Sequence, residues 1–309
     1  MKVVVLAGGT GAAKFVRGLV RVVDPRELTV IVNTGDDLEW WGLHVSPDLD
    51  TICYELGGLL DPQRGWGRRE ETFHCRDAMA ALGRASWFNL GDRDLATHLF
   101  RSEQLRAGVP LSEVTATLCA RWGIASHVLP MTDARVRTIV TMDDGDVPFQ
   151  EFFVHRRHAG AVHAVRFEGA AGARPAPGVI DAIHEAAIVV IAPSNPVTSV
   201  GPILAVPGIT EALNTTAARV AAISPITGSA AFSGPAARLM AMRGWPTTAV
   251  GVAMAYQSFL DVLLCDAGDA ALGPEMEALG VRPVFTSILM SGTALAERLA
   301  KETLDAGAQ

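Results

Sequence analysis

Short segments of this chain bring together side chains that could carry out phosphoryl chemistry. Between them they hold glycines, at least five carboxylates, asparagines, several hydroxyls and one arginine. Carboxylates can hold a divalent metal ion, the ion and an arginine can offset phosphate charge, and an aspartate can orient an attacking hydroxyl. A Ser-His-Asp nucleophile elbow, a Cys–His pair and a zinc signature are absent. The segments are residues 8–14, 33–37, 47–51, 91–98 and 194–199.

The first segment lies between a predicted strand and a predicted helix. Residues 3–7 are an apolar run, residues 8–11 contain three glycines, and residues 12–23 have helical spacing of apolar side chains. Glycines let the backbone approach a phosphate, and a helix N-terminus offers free N–H groups and a partial positive charge. The spacing differs from the P-loop and from the dinucleotide fingerprint, which would have glycine instead of Lys14. It favours a nucleotide-binding turn, with an ordinary tight strand-to-helix turn as the alternative.

Acidic side chains follow the second predicted strand and recur before the next predicted helix. Asp36 and Asp37 come just after the strand at 28–32, at the carboxyl end where open α/β sheets bind ligands. They could hold a divalent cation or accept from a sugar hydroxyl, although aspartate also favours turns and helix caps. Asp48 and Asp50 are placed in a loop, where both could converge on one metal ion or one hydroxyl. Asp50 could instead cap the helix that follows.

Further polar clusters occur later in the chain. Asp92 could cap a helix predicted to run to about residue 105. Arg93 would then lie in the first turn, where a cation is not favoured, so we expect an anionic partner: Asp92, Asp94 or a ligand phosphate. The Ser, Asn and Thr side chains of residues 193–199 follow an apolar strand and suit nucleotide contact at the mouth of the sheet.

The alternation of strands and helices predicts an α/β fold. We expect a Rossmann-like, mostly parallel sheet with helices on both faces, a mainly helical insertion and a small antiparallel β segment. A further strand is predicted at 249–252, and a helix is predicted to open at Ser233. The nucleotide-binding core is assigned to residues 1–54 and 171–309, the helical insertion to 55–134, and the β segment to 135–170 as part of the same compact unit.

Composition argues against several functional classes. The chain has 309 residues and a net charge of −7, and this acidity argues against general nucleic-acid binding. Hydrophobic residues make up 49% and charged residues 19% of the chain, so disorder is not expected. No apolar run approaches the roughly 20 residues that span a bilayer, and no targeting segment is visible. The four scattered cysteines are interpreted as reduced thiols, and we expect a cytoplasmic protein without a membrane partner.

Six motifs follow one another along the chain. They are Ala-Gly-Gly-Thr-Gly-Ala-Ala-Lys at 7–14, Asn-Thr-Gly-Asp-Asp at 33–37, Ser-Pro-Asp-Leu-Asp-Thr at 46–51, Leu-Gly-Asp-Arg-Asp-Leu-Ala-Thr-His at 90–98, Pro-Ser-Asn-Pro-Val-Thr-Ser at 193–199 and Ser-Pro-Ile at 224–226. In this order they resemble the motifs of the phospholactate transferase family of coenzyme F420 biosynthesis. The tract Asp-Pro-Gln-Arg-Gly-Trp-Gly at 61–67 is most similar to that of actinobacterial members. The resemblance spans nearly the whole chain, so it is more specific than any single loop.

The resemblance implies a transferase reaction. Members of that family move a phosphorylated three-carbon acid from a guanosine diphospho-diester to the terminal ribityl hydroxyl of the deazaflavin Fo. GMP leaves, Mg²⁺ assists, and the product is F420-0 or its dehydro form. The family also implies a homodimer. The sequence leaves open whether the acid is phosphoenolpyruvate, 2-phospho-L-lactate or phosphoglycerate, because a pocket separates such small changes by only about 1–3 kcal/mol.

The resemblance also implies roles for individual residues. Asp50 and Asn89 match positions that contact Fo, with asparagine instead of the lysine of some relatives at the second. Loop position and charge make Asp36, Asp37 and Asp50 candidates to bind the metal or orient the hydroxyl. Arg93 is the candidate that offsets phosphate charge, so Asp37, Asp50 and Arg93 form the predicted catalytic set. The predicted substrate contacts, with guanosine diphosphate over the glycine loop, are Gly8, Gly9, Thr10, Gly11, Lys14, Asn33, Asp36, Asp50, Asn89, Asp92, Arg93, Ser194, Asn195, Thr198 and Ser224.

Two other functions compete with this one. A nucleotide-sugar-binding regulatory protein of the same superfamily would keep the glycine loop but should lack the acidic tracts found here at 47–50 and 91–94. An NAD(P)-linked oxidoreductase would need the third fingerprint glycine and a ribose-binding acid. Only Glu39 and the Asp36–Asp37 pair could supply that acid. The sequence therefore favours the transferase.

Overall fold

The structure, a computed structural model, describes residues 1–228, 230–231 and 234–308. The strands are β1 (Val3–Ala7), β2 (Leu28–Val32), β3 (Leu38–Trp40), β4 (Leu43–Val45), β5 (His127–Pro130), β6 (Arg137–Met142), β7 (Gly145–Pro148), β8 (Val162–Glu168), β9 (Ile188–Ile191), β10 (Arg219–Ile223), β11 (Ile226–Thr227), β12 (Ala230–Ala231), β13 (Val262–Asp266) and β14 (Arg282–Thr286). The helices are α1 (Gly9–Leu19), α2 (Pro47–Leu56), α3 (His74–Ala81), α4 (Asp92–Arg106), α5 (Leu111–Arg121), α6 (Val179–Glu185), α7 (Gly201–Leu204), α8 (Ile209–Thr215), α9 (Ala236–Met242), α10 (Ala249–Tyr256), α11 (Gly273–Ala278) and α12 (Thr293–Gly307).

A seven-stranded parallel sheet forms the centre, in the order β14-β13-β10-β9-β1-β2-β5. The chain starts at β1, runs outward through β2 to β5, and then returns to the other side of β1 at β9. In this topology the strand order reverses between β1 and β9, and ligands of open α/β sheets bind in the crevice at that reversal. The predicted Rossmann-like fold is therefore confirmed.

The side chains of β1 alternate between two hydrophobic layers. Val3, Val5 and Ala7 pack with α1, α2 and α12 on one face of the sheet. Val4 and Leu6 pack with α6, α8, α9 and α10 on the other face. A strand that is buried on both faces needs a continuous apolar run, because successive side chains point in opposite directions. This explains why the first strand could be predicted from its sequence.

Peripheral elements flank the sheet on its β2 side. The segment 55–134 contains α3, α4 and α5 and ends in β5, which pairs with β2 and was not predicted. The small antiparallel sheet has the order β7-β6-β8, with the β6–β7 turn at residues 143–144. A second short hairpin, β3–β4, was also not predicted. The division of the chain into domains remains a prediction.

Some elements differ from the predictions. The strand predicted at 249–252 is wrong, because these residues open the buried helix α10, and a short apolar run cannot distinguish a strand from a buried helix. The loop predicted around Asp48 and Asp50 is also wrong. Helix α2 begins at Pro47, where proline suits the first turn, so both carboxylates lie within that turn. The helix start predicted at Ser233 lies outside the described residues.

None of the described helices is long and apolar enough to cross a membrane. All four cysteines are free thiols.

Candidate functional site

The glycine loop after β1 forms one wall of the crevice at the reversal of the sheet. Gly9 has φ +74°, a left-handed conformation that favours glycine. A Cβ at Gly11 would overlap the carbonyl oxygen of Pro193, and one at Gly8 would lie 2.8 Å from the Cβ of Ser199. The glycines therefore let the start of α1 approach the loop that follows β9.

The N-terminus of α1 is open to a ligand. The N-cap residue Gly8 has no side chain to cap this terminus, and the first turn contains no acidic residue. The backbone N–H of Gly9 donates to the carboxylate of Asp48 from the neighbouring helix α2. Unpaired N–H groups and the helix dipole make such a terminus favourable for an anion. Thr10 and Lys14, both predicted substrate contacts, are exposed on the first turns of this helix.

Asn33 connects three segments beneath the glycine loop. It is fully buried directly after β2, and its Oδ1 accepts from the backbone N–H of Gly35 at 2.7 Å. Its Nδ2 donates to Asp48 Oδ2 at 2.9 Å and to the Thr198 carbonyl at 3.4 Å. Asn33 therefore fixes the ends of β2 and α2 and the loop after β9 relative to one another. Asp48 was not among the predicted site residues, although it belongs to the acidic tract that carried the resemblance.

The loop after β9 is the opposite wall. Ser194 Oγ donates to the carbonyl of Gly8 at 2.8 Å. Asn195 Oδ1 accepts from the backbone N–H of Val197 at 2.9 Å, which caps the turn that contains Thr198. The Oγ1 of Thr198 is buried and finds no hydrogen-bond partner among the residues that the structure describes. Its hydroxyl is therefore free for a ligand.

Ser224 lies at the end of the neighbouring strand β10. It is fully buried, its Oγ donates to the carbonyl of Ile226 at 2.8 Å, and the same Oγ lies 3.1 Å from the Ile226 amide. The hydroxyl of Ser224 thus stabilises the turn between residues 224 and 226.

Three carboxylates gather behind the crevice. Asp36 is 5% exposed, and burial raises its pKa well above the ordinary range, with the charge of Asp48 adding to the rise. Burial also raises the pKa of Asp48 to about 6, and the hydrogen bond from Asn33 opposes this rise. Asp37 Oδ2 accepts from Ser46 Oγ at 2.7 Å. Like charges at close range make this place costly for anions and favourable for a cation.

Asp36 and Asp37 each have a carboxylate oxygen that could bind Mg²⁺. The Oδ1 atom of each is buried and has no hydrogen-bond partner in the described part of the chain. Mg²⁺ is commonly held by one or two carboxylates, with substrate phosphates and water completing its ligands. Across residues 1–228, 230–231 and 234–308, no three His, Cys, Asp or Glu side chains converge as a protein-only metal site. The two free carboxylate oxygens are the donors that these residues offer to such an ion.

Asp50 is directed elsewhere. On α2 it accepts from both terminal nitrogens of Arg101, which is 2% exposed on α4. Arg101 Nη1 also lies 3.2 Å from His98 Nδ1, and His98 Nε2 lies 3.2 Å from Asp94 Oδ1. Tyr54 donates to that same Asp94 oxygen at 2.5 Å. The structure does not group Asp50 with Asp36 and Asp37 but places it in a buried ion-pair network.

Asp92 and Arg93 do not have the local roles that their positions suggested. The carboxylate of Asp92 accepts from Thr72 Oγ1 and from the backbone N–H groups of His74 and Cys75, so it caps α3 and not α4. These hydrogen bonds lower the pKa of Asp92. Arg93 is half-exposed, and its anionic partner is Glu70, at 3.1 Å.

The N-terminus of α4 is capped by a different residue. Glu71 accepts from the backbone N–H groups of Arg93 and Asp94 at 2.5 and 3.0 Å. Asn89, the predicted Fo contact, is exposed and accepts from Arg76 at 3.0 Å.

A cavity of about 430 Å³ opens beside Asp37, where β2 and β5 end. Its size is within the usual range for small-molecule sites. Both acidic and basic side chains line it, and they include Asp37, His44, Arg106, Asp133 and Arg135. Of the predicted site residues, Asp37 lines this cavity.

Sequence reasoning missed the buried partners of the predicted residues. Arg101 and Tyr54 lie outside the quoted motifs, and His98 ends the motif at 90–98 without a predicted role. Only their position in the fold pairs them with Asp50 and Asp94. His44 and Ser46 were missed in the same way, although Ser46 stands next to the Pro-Asp-Leu-Asp tract.

Comparison with known proteins supports the resemblance that the motifs suggested. The family model described as 2-phospho-L-lactate transferase CofD matches residues 3–279. The chain is 45% identical over 311 residues to a Streptomyces griseus protein named phosphoenolpyruvate transferase, with 99% of this chain and 98% of the relative covered. A Streptomyces coelicolor protein of the same name is 46% identical over 310 residues, with 98% and 97% covered. A crystal structure of a UPF0052 family protein from Bacillus halodurans shares the fold, with a TM-score of 0.68, 18% identity and 98% of each chain covered.

Proposed function

Because the chain belongs to the 2-phospho-L-lactate transferase CofD family, we propose that it transfers a phosphorylated three-carbon acid to the deazaflavin Fo. The donor is a guanosine diphospho-diester of that acid, GMP is released, and F420-0 or its dehydro form is produced. The observation that carries this proposal is the crevice between β1 and β9. There the start of α1 contacts Asp48, whose charge acts on Asp36, and the Oδ1 atoms of Asp36 and Asp37 have no partner in the described part of the chain.

The names of the relatives favour one acid. Both Streptomyces relatives are named phosphoenolpyruvate transferase and match nearly the whole chain. We therefore propose phosphoenolpyruvate as the acid and dehydro-F420-0 as the product.

The glycine loop is proposed to bind the diphosphate of the donor. The N–H groups of the first turn of α1 and the positive end of its dipole would face the phosphates. The exposed Lys14, one turn further along α1, adds positive charge. Asn33 holds this wall in place through Asp48 and the Thr198 carbonyl.

Asp36 and Asp37 are proposed to hold Mg²⁺ through their free Oδ1 atoms. When bound, the ion would offset the charge that develops on the transferred phosphoryl group and on the leaving phosphate. Both carboxylate oxygens of Asp50 accept from Arg101. We therefore propose that Asp50 contacts Fo and does not bind the metal. A carboxylate has about four acceptor sites, so Asp50 can accept from a ribityl hydroxyl while it stays paired with Arg101.

In the proposed reaction, the terminal ribityl oxygen of Fo bonds to the phosphorus that carries the three-carbon acid. The bond from that phosphorus to the GMP oxygen breaks, and GMP leaves with the electron pair. We propose that Asp37, which lines the cavity, helps to orient the hydroxyl. Its Oδ2 already accepts from Ser46 and its Oδ1 is assigned to the ion, so the hydroxyl proton would pass to solvent as the new bond to phosphorus forms. Arg93 can offset phosphate charge, because its exposed pair with Glu70 is weak enough to exchange for a phosphate.

A mass-resolved assay tests the function. The protein is incubated with Mg²⁺, Fo and the guanosine diphospho-diester of phosphoenolpyruvate, phospholactate or phosphoglycerate, and the products are weighed. We expect GMP and an Fo adduct whose mass identifies phosphoenolpyruvate as the preferred acid. D37A should abolish the adduct, whereas D143N, on the exposed β6–β7 turn, should not.

The same assay identifies the competing function. Tight nucleotide binding without an adduct from any donor would refute the transferase and leave the nucleotide-binding regulator. An adduct of phospholactate alone would refute the choice of acid but not the reaction.

A further inference from the structure

Asp37 is held by two side chains that come from the chain just after it. Ser46 Oγ donates to Asp37 Oδ2 at 2.7 Å, and His44 Nε2 lies 2.9 Å from the same oxygen. A carboxylate oxygen only accepts, so the imidazole donates from Nε2, and this partner assigns the tautomer. Two donors on one oxygen restrict the rotation of the carboxylate. The orientation of the other oxygen, Oδ1, is thereby fixed as well.

The backbone that carries His44 is itself anchored. His44 lies on β4 opposite Glu39 of β3, and its backbone N–H donates to Ser102 Oγ of α4 at 2.7 Å. The turn of this hairpin is tied to the same helix, because Arg106 donates to the carbonyl of Gly42 at 2.5 Å. The imidazole therefore reaches Asp37 from a frame fixed on α4, although its own side chain is about one-third exposed.

The second carboxylate oxygen of Asp37 has no such partner among the described residues. Asp37 Oδ1 is buried, and within the described part of the molecule it has no hydrogen-bond partner. Asp37 and His44 both line the cavity of about 430 Å³. A buried carboxylate oxygen without a partner is costly, so its retention points to a ligand that supplies one.

We propose that His44 and Ser46 are positioning residues for Asp37, which they hold so that its Oδ1 is presented to a divalent cation. This inference rests on the proposed function, because it takes the cation to be the one that assists transfer. Groups that hydrogen-bond to a ligating carboxylate orient it and typically account for a 10–100-fold difference in metal affinity. If the contacts of His44 and Ser46 with Asp37 only stabilised the fold, their loss would lower stability without changing metal affinity.

Binding of Mn²⁺ to the protein in the presence of excess GDP tests the proposal without the reaction. Free Mn²⁺ is counted by electron paramagnetic resonance, and the unfolding midpoint is measured on the same samples. We expect H44A to weaken Mn²⁺ binding by about 10-fold or more. S46A, like H44A, leaves one donor on Oδ2, so it should weaken Mn²⁺ binding by a similar factor. H44Q should restore most of the affinity, because the amide nitrogen of glutamine can donate from nearly the same place.

H163Q is the matched control. His163 on β8 also pairs with an aspartate, Asp143, at 2.5 Å, but on an exposed surface away from the crevice. We expect H163Q to bind Mn²⁺ as the wild type does. If H44A binds Mn²⁺ with wild-type affinity, whatever its unfolding midpoint, the positioning role is refuted while the proposed function stands. If the wild type itself binds no Mn²⁺ with GDP, the metal step of the proposed function is refuted together with this inference.

Discussion

Replacing Arg101 with methionine tests whether the buried network around Asp50 holds α2 against α4. Arg101 is 2% exposed and donates to both oxygens of Asp50. Methionine fills much of the same volume but leaves the Asp50 carboxylate buried without its partner. Breaking a buried ion pair on one side costs about 3–5 kcal/mol. Because a domain of this kind is stable by only about 5–15 kcal/mol, this is a large fraction of the total.

Urea unfolding measures the effect. With a denaturant slope of about 3 kcal/mol per molar, R101M should lower the midpoint by about 1–1.7 M. Methionine at Arg101 with asparagine at Asp50 removes both charges, so the double variant should be more stable than R101M alone.

R166M is the control, because Arg166 pairs with Asp146 at 2.7 Å on the exposed face of β8. Exposed pairs contribute about 0–1 kcal/mol, so this variant should unfold almost as the wild type does. If R101M loses no more stability than R166M, Asp50 is not held by a buried ion pair. Asp50 would then be free to turn toward Asp36 and Asp37.

Three further outcomes are expected. The folded pKa of Asp48, about 6, exceeds its ordinary value of 3.8, so this residue stabilises the fold most below pH 4 and loses that contribution as pH rises through 6. Relative to D48N, the free energy of unfolding of the wild type should therefore fall by up to about 3 kcal/mol between pH 4 and 7, and parallel pH curves in urea unfolding would contradict this. G11A should weaken GDP binding in calorimetric titration, because the added Cβ overlaps the Pro193 carbonyl oxygen, whereas G172A, which meets nothing within 4 Å, should bind GDP normally. Removal of metal with EDTA should stop adduct formation and weaken GDP binding, and a metal-free enzyme with full turnover would refute the assigned metal role.

The sheet could be predicted because its strands carry local signals. The apolar run of β1 and the glycines after it define a strand, a turn and a helix within twenty residues of chain. The polar loops after β2 and β9 could be placed together because parallel strands end at one edge of the sheet. The structure places Asn33, Asp36 and Thr198 around that edge.

Other elements had no such signal. Strand β5 is only four residues long, with an exposed histidine and a terminal proline, and pairing with β2 is what makes it a strand. The run at 249–252 is apolar all round, which suits a buried helix as well as a strand.

The contacts of the charged residues could not be predicted, because they depend on packing. Asp48 and Asp50 stand two positions apart, and the first turn of α2 directs them to Asn33 and to Arg101. The partner of Asp50 lies 51 residues away in the chain, with no spacing rule to indicate it. Asp92 follows the preference of aspartate for helix caps but caps a helix other than its own, which only the fold could decide.

The crevice contains one feature that attracts anions and another that repels them. The end of α1 favours an anion, while burial and neighbouring carboxylate charges raise the pKa values of Asp36 and Asp48. Asn33 opposes the rise in the pKa of Asp48 by donating to its carboxylate, but as a neutral amide it cannot cancel a charge. A phosphate alone would be attracted by the helix and repelled by the carboxylates. A divalent cation that arrives with the phosphate removes the repulsion and gives the free oxygens of Asp36 and Asp37 a partner. The charge pattern is therefore complete only with both ligands, so each should bind more tightly in the presence of the other.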